Sequence, residues 1–147
     1  MLILQRTSGT PRIVGGVGIH LLDDDTGGAR PEIGYWVARQ CWGLGFATEA
    51  GRAVMAIART LRLPRLMSGH FVDNPASGAV LRKLGFTATG RIVPRYSVAR
   101  GENVACALFE EGDADDGTAM TRPAHIGKRC RVPADDDVRQ SIRLLAA

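Results

Sequence analysis

Strand-like runs that alternate with two helix-like stretches predict a mixed α/β (α+β) fold, a sheet covered by helices that serve as crossovers. Three features lead there. Short β-prone runs are separated by Gly, Pro and Asp. An amphipathic segment extends from Ala47 to Arg62. A second helix start, Asn74-Pro75, stands between two further strand-like runs. A chain of 147 residues suits one domain able to bury a core without staples.

Taken in order, Met1 to Arg6 and Arg12 to Leu22 are expected strands, joined by a turn at Ser8-Gly9-Thr10-Pro11. Asp23 to Arg30, with its Asp run and Gly27-Gly28, reads as a surface loop, and Glu32 to Ala38 as a third strand. The Ala47–Arg62 helix is expected to bury Ala50, Val54, Ile57 and Leu61, with Glu49, Arg52, Arg59 and Arg62 largely opposite; Pro64 stops it. Arg65 to Val72 is another strand. The helix after it is capped by Asn74, has Pro75 at its first position, and ends at Leu84 ahead of Gly85. Strands near Phe86 to Val93 and Val104 to Glu110 complete a domain of residues 1–111. Gly112-Asp113-Ala114-Asp115-Asp116-Gly117 reads as a linker. Residues 112–147 are expected to form a polar, mostly disordered tail, in which Asp135-Asp136-Asp137 could cap a short helix from Val138 to Leu145.

Composition excludes several function classes. No apolar run approaches the roughly 18 residues of a membrane helix, and the N-terminus lacks the pattern of a secretory signal. Cys41, Cys106 and Cys130 are scattered and lack C-x-x-C spacing, which points to reduced thiols in a cytoplasm and to no metal site. The net charge of +4 belongs wholly to residues 1–111, which hold 13 Lys and Arg against 9 Asp and Glu. Such a domain suits a polyanionic ligand. There is no cluster of five basic residues and no aromatic–basic interleaving, so a nucleic-acid partner is disfavoured.

The most informative segment is Gln40-Cys41-Trp42-Gly43-Leu44-Gly45-Phe46-Ala47, set between a strand and a helix. Glycine lets backbone N–H groups approach a ligand without a Cβ in the way. The first N–H groups of a helix lack internal partners and carry partial positive charge, so strand, glycine turn and helix start together suit phosphate or pyrophosphate. Two phosphate motifs fail. No Lys-Ser or Lys-Thr follows either glycine, as a P-loop requires, and Thr48 stands where the dinucleotide fingerprint needs its third glycine. The segment fits [QR]-x-x-G-x-[GA] through Gln40, Gly43 and Gly45.

In the order Glu-Ile-Gly-Tyr-Trp, Trp-Gly-x-Gly-x-Ala-Thr-Glu-Ala, Asn-x-x-Ser, Lys-Leu-Gly-Phe, the chain closely resembles one branch of the GNAT superfamily of acyl-CoA N-acyltransferases. That branch contains the acetyltransferases of ribosomal-protein N-termini. The resemblance covers roughly Met1 to Glu111 and leaves out the tail. It implies a mixed, mostly antiparallel sheet with flanking helices. Members usually carry a strand and two helices ahead of the strand matching Met1 to Arg6, so the chain reads as N-terminally shortened. The apolar surface this exposes would favour a homodimer or aggregation.

The resemblance further implies acetyl-CoA as co-substrate, a primary amine as acceptor (a protein N-terminus, a lysine or a small amine) and direct attack in a ternary complex. A non-catalytic acyl-CoA-binding remnant is the alternative. The pantetheine arm would lie between the strands ending at Ala38 and beginning near Arg65, with the acetyl carbonyl against a backbone N–H at Val37 or Ala38. Gln40, Gly43, Leu44, Gly45, Phe46 and Ala47 would bind the pyrophosphate, the side chains of Leu44, Phe46 and Ala47 being packing. Asn74 would touch the pantetheine arm as well as cap its helix. Ser77 would give the coenzyme sulfur its proton, with Tyr96 a second choice. Glu32 would be the general base, against the plainer reading of a solvated strand-end carboxylate. His70 is more readily a packed strand residue than a base, and Glu49 a helix-dipole partner. Arg82 and Lys83 could reach the phosphates or simply be solvated, and Trp36 and Trp42 read as core or cleft wall.

Overall fold

The computed structural model describes residues 1–6, 10–23 and 28–112. The expected turn at 8–11 falls only partly on these residues. The expected tail, Cys130 and the Val138–Leu145 helix lie outside them.

Six strands and two α-helices follow one another: β1 (Leu2–Gln5), β2 (Arg12–Asp23), β3 (Ala29–Val37), a 3-10 turn at Arg39–Cys41, α1 (Phe46–Thr60), β4 (Met67–Phe71), α2 (Pro75–Lys83), β5 (Phe86–Ser97) and β6 (Glu102–Glu111). The sheet order is β1-β2-β3-β4-β6-β5. Every neighbouring pair is antiparallel except β3–β4, which is parallel and joined through α1, as a parallel pair requires. No described helix is long and apolar enough to cross a membrane.

Both helices belong to one core. Val54, Met55 and Ala58 of α1 and Leu81 of α2 meet Ile33, Leu66, Phe86 and Phe109. A bulge enlarges this core. Ile3 pairs with Gly15 and Leu4 with Ile13, which leaves Val14 as the extra residue; Val14 and Val17 are then both buried. On the other side of the sheet Leu2, Leu4, Ile13 and Trp36 are exposed.

The buried stripe of α1 differs from the expected one. It is Gly51, Val54, Met55 and Ala58, while Ile57 and Leu61 are exposed. The helix is rotated by about one position because Gly51 serves as the contact. A Cβ there would lie 2.6 Å from Leu84 Cδ1, so the missing side chain is what lets α1 meet the end of α2. Hydrophobicity scoring does not register a glycine as a packing residue.

Candidate active site

The site lies where β3 and β4 part. These strands share one paired position, Glu32 with Met67. The buried Ser68 hydroxyl donates to the Ile33 carbonyl at 2.9 Å and pins them at that point. Farther along, β3 runs on to Val37 and β4 to Phe71 without pairing, which leaves a gap between two strand ends. The Ala38 N–H donates to Val14 O at 2.8 Å, toward β2. Successive N–H groups on a strand point to opposite sides, so the Val37 N–H faces the gap. Of the two amides expected to meet an acetyl carbonyl, Ala38 is thus committed to the sheet and Val37 is the one presented.

The loop after β3 is locked from both ends. The Trp42 indole N–H donates to Val37 O at 2.6 Å, and Cys41 in the 3-10 turn is buried. Gln40 lies in the same turn, half-buried. Gly43 has φ 72° and Gly45 φ 90°, the left-handed region that favours glycine. A Cβ on Gly43 would meet nothing within 4 Å, so the space in front of it is open. Gly45 is the N-cap of α1, and no side chain caps this helix. The Glu49 N–H donates to Gly45 O, so the amides of Phe46, Ala47 and Thr48 precede the first helical hydrogen bond. Leu44, Phe46 and Ala47 are half-buried, and the Phe46 ring packs against the core.

Across the gap, α2 starts as expected. The Asn74 side chain accepts from the Ser77 N–H at 3.3 Å, and Pro75 occupies the first turn. The Ser77 hydroxyl faces β3, where the Tyr35 hydroxyl lies 2.8 Å from Ser77 Oγ and 3.0 Å from Ser77 O. This bond joins the two walls of the gap. Burial pushes the Tyr35 phenol up from its ordinary 10.0, with the Ser77 contact opposing the shift. Sequence reasoning missed Tyr35, although one signal was available. It alternates with Ile33 and Val37 on the inward face of β3, and a Tyr hydroxyl placed there needs a partner.

Glu32 stands neither as a free general base nor as the solvated strand-end carboxylate of the plainer reading: it is half-buried within β3. Both its oxygens accept from the Arg95 guanidinium, Oε2 at 2.7 Å, and both side chains are partly buried. That bond in turn holds Arg95 above its usual range. A carboxylate engaged twice by a guanidinium is poorly placed to take a proton. Burial pushes the nearby Cys106 thiol up, partly opposed by Arg95.

His70 packs as a strand residue: Nδ1 lies 2.8 Å from Phe71 O, and the ring sits 5.4 Å from Phe109. A Cβ on Gly78 would come within 2.6 Å of His70 Nε2, so α2 covers the ring at van der Waals distance. Tyr96 is exposed, and Arg82 lies over the Phe109 ring. Neither tryptophan is a core residue. Trp42 is exposed beside the loop it locks, and Trp36 lies over Gly16, where a Cβ would be 2.5 Å from the indole nitrogen. Asp73, ahead of α2, is paired with Arg100 at 2.6 Å, which holds its carboxyl below the ordinary 3.8.

Comparison with known proteins bears on this arrangement. The family model described as an acetyltransferase (GNAT) domain matches residues 1–87. Uncharacterized N-acetyltransferase p20 of Bacillus licheniformis is 32% identical over 101 residues, 68% of this chain and 55% of its own length. The ribosomal-protein-S5-alanine acetyltransferase of Vibrio fischeri superposes with a TM-score of 0.58 at 22% identity, over 71% of this chain and 56% of that one. The microcin C7 self-immunity acetyltransferase MccE, solved in complex with acetyl-CoA and AMP, gives 0.55 at 23% identity, over 67% and 54%. The chain therefore spans about half the length of the curated relatives it matches. A match over more than half of these residues, supported by a relative above 30% identity, shows that the chain belongs to the GNAT acetyltransferase family.

Proposed function

We propose that this chain binds acetyl-CoA in the gap between β3 and β4 and transfers the acetyl group to a primary amine by direct attack. The observation that carries this reading is the parting of β3 and β4 after a single paired position, with a glycine loop and an uncapped helix start at the mouth of the gap. The residues fit such a ligand. The amides of Gly43 to Ala47, with Gln40 beside them, would hold the pyrophosphate. The Val37 N–H would donate to the developing oxyanion, and Asn74 and Ser77 would line the pantetheine arm. The acceptor class extends to a protein N-terminus, a lysine or a small amine. Residues 1–111 would form the transferase domain.

With Glu32 held by Arg95, proton removal passes to solvent, and the amine must arrive as the free base. Rate should then rise with pH along the acceptor's own titration. The same ion pair favours a second reading, coenzyme binding without turnover. Calorimetric titration with acetyl-CoA, with Gly45→Glu alongside, tests the binding step. Micromolar affinity lost in the variant supports the site, and retained affinity rejects the loop assignment. Amine-dependent thiol release then separates the enzyme from the binding remnant.

A further inference from the structure

We propose that Tyr35 is a positioning residue that aims the Ser77 hydroxyl hydrogen at the coenzyme sulfur; the proposal deepens the reading above and rests on it. The starting point is a count of hydrogens. Tyr35 has one phenolic hydrogen and two acceptors within reach, Ser77 O at 3.0 Å and Ser77 Oγ at 2.8 Å. If the phenol donates to the carbonyl, the Ser77 hydroxyl must donate to the Tyr35 oxygen, and its hydrogen points at β3. If the phenol donates to Oγ, the Ser77 hydrogen is free to point elsewhere. One torsion of the phenolic hydrogen therefore decides whether Ser77 can act on a ligand.

The surroundings favour such a device. Ser77 is fixed twice more, its N–H accepted by the Asn74 side chain and its helix covering His70 through Gly78. Tyr35 is held in the inward face of β3, so the two oxygens keep their separation while the hydrogen moves. Burial keeps the phenol neutral, which it must be to donate.

The assignment changes the role of Ser77. As the carbon–sulfur bond breaks, its electron pair goes to sulfur. The Ser77 hydroxyl hydrogen-bonds that thiolate, and the phenol donates to Oγ behind it. Neither hydroxyl gives up its proton. The thiolate is later protonated from solvent, which has received the proton lost by the amine. Ser77 is then a donor of a hydrogen bond, and Tyr35 acts through it.

The test needs no knowledge of the acceptor. The thiol of bound coenzyme A is titrated by its ultraviolet thiolate band, with desulfo-coenzyme A as the blank that removes protein thiols and phenols. A hydrogen bond to the thiolate should lower the bound thiol's pKa by about one to two units. Ser77→Ala should abolish that shift, Ser77→Thr should retain it, and Tyr35→Phe should lose a substantial part. Tyr35→Phe in the Ser77→Ala background should add nothing. A second variant runs in the opposite direction and keeps the side chain's shape. The chain has two tyrosines, so fluorotyrosine incorporated in a Tyr96→Phe background reports on Tyr35 alone. The stronger phenol should lower the bound thiol's pKa further. If coenzyme A binds and neither Tyr35→Phe nor fluorotyrosine moves the titration, the positioning role is overturned while the binding reading stands. If wild type binds no coenzyme A, both fall.

Discussion

Gly43→Ala, compared with Gly85→Ala, separates a strained backbone from a ligand cradle. Both glycines have positive φ, 72° and 89°, and a Cβ on either would meet nothing within 4 Å. The intramolecular cost of alanine is therefore the left-handed conformation itself, about 1–2 kcal/mol at each position. For a domain near 100 residues, each kcal/mol lowers the melting temperature by about 4–8 °C. The two variants should melt alike. Their coenzyme affinities should differ. Gly43 faces the open space where a pyrophosphate would sit, whereas Gly85 follows the far end of α2 and accepts from Gly112 N–H. Displacing one backbone hydrogen bond to a charged phosphate oxygen costs about 1.5–3 kcal/mol. Gly43→Ala should accordingly weaken acetyl-CoA binding by about 10- to 150-fold, and Gly85→Ala should leave it within about twofold. Calorimetric titration supplies the affinities, and circular dichroism melts supply the control. Wild-type affinity in both variants would refute the loop's role. An equal loss in both variants would show that strain, and not contact, governs binding.

Three further outcomes follow from the geometry. Glu32→Gln leaves the partly buried Arg95 without its charge partner and should cost about 1–3 kcal/mol in denaturant unfolding; any acetyl transfer should survive within severalfold, and a loss of several hundredfold would restore Glu32 as the base. Gly78→Ala places a Cβ 2.6 Å from His70 Nε2 and should cost about 1–3 kcal/mol by overpacking, so a neutral or stabilising result would show that α2 is free to shift. The raised Tyr35 phenol makes the folded state hold its proton above pH 10.0, where the unfolded chain has released it. Stability is full below that pH and is lost as pH rises toward the folded value. Tyr35→Phe should remove this component of the alkaline loss, and identical alkaline unfolding curves would contradict it.

Much of the fold and of the candidate loop was legible locally. Asn74-Pro75 is a helix start in any context because cap and fixed φ act within one turn, and α2 begins there. Gly43 and Gly45 marked a turn from strand to helix, and both lie in that turn with positive φ. Other features depend on residues far apart in the chain, which single-sequence patterns do not register. Glu32 and Arg95 are 63 positions apart, and only the sheet order brings their charges together. Tyr35 and Ser77 are 42 apart, and only packing of α2 against β4, the strand beside β3, joins their hydroxyls. The buried stripe of α1 was displaced for a related reason: Gly51 fits Leu84 by having no side chain, and complementarity of that kind belongs to two surfaces at once. Composition and spacing within a few residues thus determined the elements, their caps and the loop. Pairing across the sheet decided which amide faces the gap, which carboxylate is neutralised and which hydroxyl is aimed, because charge and hydrogen-bond partners are set by distance in space.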